Sequence, residues 1–154
     1  MDRDRLNWFL TLTANIAVLV GIALVVVELS QNREMVRSQT RNDISIRLGE
    51  LLSQQTDQAL SELILKAVSD FEGLTDTEKA RFQAHALSML RYFENVHYQY
   101  RNGMYDAEEY LAQQEAWRRF MSNTPYVQVW CSWKDTFSPS FRETLEGLRQ
   151  SHEC

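Results

Sequence analysis

Charge vanishes from this chain between Trp8 and Val27 and returns as a dense polar pattern from Glu28 onward. As an α-helix rising about 1.5 Å per residue, the uncharged run measures roughly 30 Å, the thickness of a bilayer's hydrocarbon core. It passes through Val25, Val26 and Val27 into Glu28-Leu29-Ser30-Gln31-Asn32 without small residues at an A-x-A-like cleavage site. It therefore reads as a retained signal anchor rather than a removed leader. Buried helices of soluble proteins rarely run this far without a charge. The pattern predicts one transmembrane helix over residues 1–29.

A second spacing lies inside the first. Ala14, Ala17 and Gly21 follow steps of three and four, extended upstream by Leu10 and Asn7 and downstream by Leu24, Glu28, Gln31 and Met35, so they share one helical seam. Small residues on one face let membrane helices approach closely, and Asn7, Thr11 or Asn15 offer interhelical hydrogen bonds worth about 0.6 to 2 kcal/mol each. The expectation is a homo-oligomer whose contact includes Ala14, Ala17, Gly21, Leu24, Glu28 and Gln31. Glu28, an ionisable group in a membrane segment, is a functional candidate by default. It sits at the end of the apolar run, where a carboxylate costs well below the roughly 2.5 to 3.5 kcal/mol charged at a helix centre. A nearby arginine or a neighbouring subunit's Gln31 suffices to hold it.

No Pro or Gly interrupts the chain between Gly21 and Gly49, so the helix is expected to continue as a juxtamembrane rod over 30–56. Val36, Ile44, Leu48, Leu51 and Leu52 are spaced for packing, and Ser53 to Thr56 is a polar interval where the rod ends or bends. Arg33, Arg37 and Arg41 recur every fourth residue on one face. They are expected to meet lipid headgroups, each contributing about 1 kcal/mol near an anionic leaflet.

A soluble helical domain is predicted over 57–154. Leu60, Leu63, Ile64, Ala67, Val68 and Phe71 form a first apolar stripe, stopped by Gly73. Thr75-Asp-Thr-Glu78 has capping-box spacing and opens a helix carrying Phe82, Ala86, Met89, Leu90, Phe93, Val96, His97 and Tyr100, with Gly103 as its left-handed stop. Asp106-Ala-Glu-Glu109 repeats the capping logic before Tyr110, Leu111, Trp117, Phe120 and Met121. Pro125 begins a segment with Tyr126, Val129, Trp130, Trp133 and Phe137. A last helix after Ser138-Pro139-Ser140 carries Phe141, Leu145 and Leu148. Sustained alternation and β-hairpin signals are absent, so the fold class is all-α. Fifteen of the seventeen aromatics lie between Phe71 and Phe141, which points to one aromatic-rich core.

Charge narrows the partners. From Leu51 onward there are ten Lys/Arg against fifteen Asp/Glu, whereas residues 1–50 balance at six and six. No concentrated basic face is available for a phosphate backbone, so no nucleic-acid partner is expected. Arginines flanking the span set its orientation: Arg3 and Arg5 precede it, while Arg33, Arg37, Arg41 and Arg47 follow. This bias places the C-terminal domain in the cytoplasm. Cys131 and Cys154 are the only cysteines. Two do not make a disulfide framework, and Cys131 is expected to be a buried thiol.

Catalytic constellations are sparse. No phosphate loop, GxSxG elbow, CxxC pair or HExxH helix is present. Glu94 and His97 have the Glu-x-x-His spacing of di-iron bundles, but the motif occurs once and neither His85 nor His152 completes a set. No metal or other cofactor is expected, and the chain is read as non-enzymatic.

The junction Glu28-Leu-Ser-Gln31-Asn32, followed by Arg37-Ser-Gln39, resembles a group of uncharacterised bacterial single-pass inner-membrane proteins with an E-x-x-Q-N motif after an N-terminal membrane helix. Gly103, Trp117, Trp130 and Phe141 sit where that group tends to carry glycine and aromatics. The resemblance implies a bacterial inner-membrane location and brings no activity with it. The expected role is a noncatalytic, self-associating interaction or scaffold module in the bilayer, with room for an unknown membrane-protein partner. One alternative is an oligomeric ion channel lined by Asn7, Thr11, Asn15 and Glu28. Another is a membrane-tethered metal protein using Glu94 and His97.

Overall fold

The structure, a computed structural model, describes residues 3–149 and residue 154. Six α-helices and a short 3₁₀ turn follow one another, with no strand among the described residues. They are α1 (Arg3–Gln54), α2 (Gln58–Ser69), α3 (Asp76–Arg101), α4 (Ala107–Phe120), α5 (Thr124–Trp133) and α6 (Pro139–Leu148). The chain divides into two compact units, residues 1–39 and 40–154. Helix α1 contains no Pro that would break it.

The second unit begins inside α1 because Ile44 and Leu51 are core residues there. The sequence-based juxtamembrane segment, 30–56, thus contributes its first part to one unit and its later part to the other. Helix α3 lies at the centre and packs against α2, α4, α5 and α6. One cluster joins Ile44 and Leu51 to Leu90, Phe93, Val96, Trp117, Trp130, Phe141 and Leu145. A second joins Leu63 and Ala67 to Phe82, Ala86, Tyr126 and Val129, with half-buried Leu87 and Phe120 bordering both. Trp117 stacks on Phe93 at 5.3 Å between ring centroids, and Phe141 meets Trp130 edge-on at 5.9 Å. Each fully buried large side chain of this kind contributes about 1.5 to 3 kcal/mol.

Helix ends follow their local chemistry. Asp57 caps α2 by accepting from the Leu60 amide at 3.0 Å. Thr75 and Glu78 form the complete capping box: the Glu78 amide donates to Thr75 Oγ1 at 3.3 Å, and the Thr75 amide donates to Glu78 Oε2 at 2.8 Å. The α3 C-terminus closes on Gly103, whose φ of 70° is left-handed. The Gly103 amide donates to the Tyr100 carbonyl at 2.9 Å and Met104 to that of Gln99 at 2.9 Å, satisfying two otherwise orphaned acceptors. Asp106 caps α4 alone, accepting from the Glu108 and Glu109 amides. The Glu109 carboxylate instead pairs with Arg41 at 2.5 Å.

Several positions differ from the sequence reading. Leu111 is 64% exposed, because α4 buries the narrow stripe through Tyr110, Trp117 and Met121, and Leu111 falls one residue beyond its edge. Val68, Leu52 and Trp133 also face outward, while His85 and Tyr92 join the core. The larger correction concerns sulfur. Cys131 is not a free buried thiol; it is half-buried and joined to Cys154 in a disulfide with Cα atoms 5.4 Å apart. The pairing is spatial, between α5 and a residue beyond α6, and no spacing rule encodes it.

A cross-link closing a loop of this length stabilises a fold by about 3 kcal/mol. Cys131→Ser should therefore lower the unfolding free energy by that order, read from tryptophan fluorescence during urea unfolding of the full chain in detergent. A second prediction concerns the α3 cap. Hydrogen bonding from Lys66, ahead of that from Thr75, lowers the Glu78 carboxyl from its usual 4.5 to about 2. The stability this provides is present above pH 4.5 and is lost as pH falls toward 2. Thr75→Ala should cost about 1 kcal/mol at neutral pH and leave most of that acid limb in place, since Lys66 is the leading cause of the shift.

Candidate functional site

The chemically distinctive part of the chain is the apolar stretch of α1, which is long and apolar enough to cross a membrane. None of its most apolar window is buried within the protein. Phe9, Leu10, Ile16, Val18, Leu19, Ile22, Leu24 and Val25 through Val27 are all exposed. Elsewhere, by contrast, the large apolar side chains of α3 to α6 mostly close on one another. Within the stretch Thr11 Oγ1 donates to the Asn7 carbonyl at 2.9 Å, so its hydroxyl is satisfied inside its own helix.

Ala14, Ala17, Gly21, Leu24, Glu28 and Gln31 all lie on this helix and are exposed. A Cβ built on Gly21 meets nothing within 4 Å, leaving the face open at its smallest residue. Trp8 and Phe9, which the sequence reading passed over, stand at the N-terminal edge of the stretch with ring centroids 5.0 Å apart. Their signal was readable, since aromatic residues favour the level of the membrane interface.

Arg33, Arg37 and Arg41 are exposed in α1 as their spacing implies. They are not equivalent. Arg41 makes the ion pair with Glu109 already described, and such a surface pair contributes about 0 to 1 kcal/mol. Arg47 pairs with Glu50 at 2.8 Å.

Glu94 and His97 are both engaged by protein. Glu94 Oε2 pairs with Arg91 at 2.7 Å, and its Oε1 accepts from the Ser138 amide at 2.8 Å. His97 Nδ1 lies 2.6 Å from Tyr110 Oη and Nε2 lies 3.0 Å from Ser140 Oγ. The two side chains thereby tie α3 to α4 and to the start of α6. No group of three His, Cys, Asp or Glu side chains among the described residues is placed to hold a metal ion. Burial, and secondarily Arg101, lowers the His97 pKa from 6.5, opposed by Glu94; burial alone lowers that of His85.

A surface cleft of about 410 Å³ is lined by Arg47, Leu87, Ser88, Arg91, Tyr92 and Asn95. Its arginines are committed: Arg91 lies 3.9 Å over the Phe137 ring and donates to the Thr136 carbonyl. Burial pushes the Tyr92 phenol up to about 12, so it stays neutral at physiological pH. No protein family, curated protein or solved structure matches the chain.

The buried histidines make a testable pH signature. Their protons bind less tightly in the folded state, so the unfolded chain takes up protons first below pH 6.5 and stability falls with pH from there. Urea midpoints of the full chain should drop between pH 7.5 and 5.5. His85→Leu should give a shallower drop, because a neutral apolar side chain removes one of the two linked groups.

Proposed function

We propose that this chain is a noncatalytic, membrane-anchored helical interaction module of the bacterial inner membrane, inserted by one pass of α1. The supporting observation is that none of the most apolar window of α1 is buried, while the second unit has a hydrophobic core of its own. Twelve Leu, Ile, Val and Phe residues lie between Trp8 and Val27. At about 0.3 to 0.6 kcal/mol of insertion free energy each, they favour the bilayer by roughly 4 to 7 kcal/mol, ample to offset Asn15 and the two threonines.

The seam from Ala14 to Gln31 supplies the contact between copies. Apolar side chains gain nothing by leaving lipid for a partner helix, so close approach at small residues is what distinguishes one face of the helix from another. Arg33 and Arg37 meet headgroups where α1 leaves the hydrocarbon, and Arg41 divides its charge between that layer and Glu109. The mildly acidic helical domain is the surface offered to other proteins.

Replacing Ala17 and Gly21 together by Leu tests self-association. The mass of the detergent-solubilised complex, measured by light scattering, should fall toward one subunit while the chain remains membrane-bound. An unchanged mass would remove the seam from this reading. A wild-type mass of one subunit would leave only the anchor.

A further inference from the structure

We infer that the domain of residues 40–154 lies on the oxidising, extracytoplasmic face of the membrane, held closed by the Cys131–Cys154 disulfide. This inference rests on the membrane-anchor reading and reverses the side that the arginine count suggests. Three observations carry it.

The first is the pairing itself. The two cysteines of this chain, separated by 23 positions, are brought together with their Cα atoms 5.4 Å apart and joined. Both follow the apolar stretch and therefore face the same compartment. Structural disulfides persist where the surroundings are oxidising, whereas cytoplasmic reductants keep such thiols reduced.

The second is the setting of Cys154. It is exposed, with Arg149 Nη1 3.3 Å and Lys134 Nζ 3.5 Å from its sulfur. Its exposure leaves this sulfur within reach of an oxidant, as thiol–disulfide exchange requires. Bond formation follows by exchange with a dithiol–disulfide oxidoreductase. The Cys154 thiolate attacks the oxidant's disulfide and expels one of its sulfurs as a thiolate. The Cys131 thiolate then attacks Cys154 Sγ in the mixed disulfide and releases the second. Two electrons pass to the oxidant, and the two protons lost from the cysteines balance the two thiols formed on it.

The third is what the bridge adjoins. Arg149, beside the Cys154 sulfur, is buried and pairs with Glu146 at 2.6 Å, and Glu146 accepts from Trp130 Nε1 at 2.7 Å. The bridge closes against an ion pair and an indole that already join α5 to α6. It belongs to the folded domain rather than to a loose surface encounter.

The arginine bias that opposes this side is narrow: within about 15 to 20 residues of the span, Arg33, Arg37, Arg41 and Arg47 stand against Arg3 and Arg5, a margin of two.

The test uses the full chain in bacterial cells. Cells are quenched in acid to trap thiols, and the protein is treated with a polyethylene-glycol maleimide with or without prior reduction. In parallel, intact spheroplasts are exposed to protease. The expected result is no adduct before reduction, two after it, a monomer-sized band on a non-reducing gel, and digestion of the domain without lysis. Two adducts before reduction, a disulfide-linked dimer, or a domain protected until lysis would each overturn the inference. Recovery of the chain in the soluble fraction after lysis would instead overturn the anchor itself.

Discussion

Apolar surface has to be covered, and this chain covers only part of its own. The second unit closes around Trp117, Trp130, Phe141 and Leu90, with Ile44 and Leu51 of α1 completing the enclosure. Nothing in that unit calls for the side chains between Trp8 and Val27, and nothing in the protein buries them. Exposed in the folded chain as in the unfolded one, these side chains gain nothing from folding, and each would gain about 1.5 to 3 kcal/mol from an apolar cover. The stretch is long and apolar enough to cross a membrane, and a bilayer of matching thickness is the cover on which the proposed anchor rests.

The same economy explains why the chemically suggestive residues of the domain have structural occupations. Glu94 spans from Arg91 to the Ser138 amide, and His97 reaches both Tyr110 and Ser140. Helix α3 is central, so polar side chains on its faces either find partners on α4 and α6 or remain buried and unpaired at a cost of about 1 to 3 kcal/mol. A glutamate and a histidine one turn apart are suited to that task. They fasten successive helices to the central one.

Periodicity and capping carried most of the fold. Apolar residues at intervals of three and four locate α2 to α6, and the Thr75–Glu78 box and Gly103 place the ends of α3 where the hydrogen bonds place them. These signals are local, set by residues within one or two turns. What depends on contact between distant elements was not readable in the same way. Leu111 matches the apolar period of α4 but lies past the edge of the helix's actual contact. His85 and Tyr92 are polar by type, yet their positions on the central helix bury them. The exposed face at Gly21 and the arginine repeat were visible from spacing alone; the pairing of Arg41 with Glu109 was not, since the two are brought together only by tertiary structure.

The disulfide is the long-range contact with the widest consequence, because it couples the stability of the domain to its compartment. A bridge worth about 3 kcal/mol is a large fraction of an ordinary domain's net stability of about 5 to 15 kcal/mol. The same polypeptide on the reducing side would lose that share and release the constraint beside Trp130, Glu146 and Arg149. On the oxidising side the bridge forms once and persists. In the proposed orientation, placement and folding reinforce each other: the domain carried across the bilayer is the one that becomes cross-linked. The fold that results is more stable where the oxidant is than where it was synthesised.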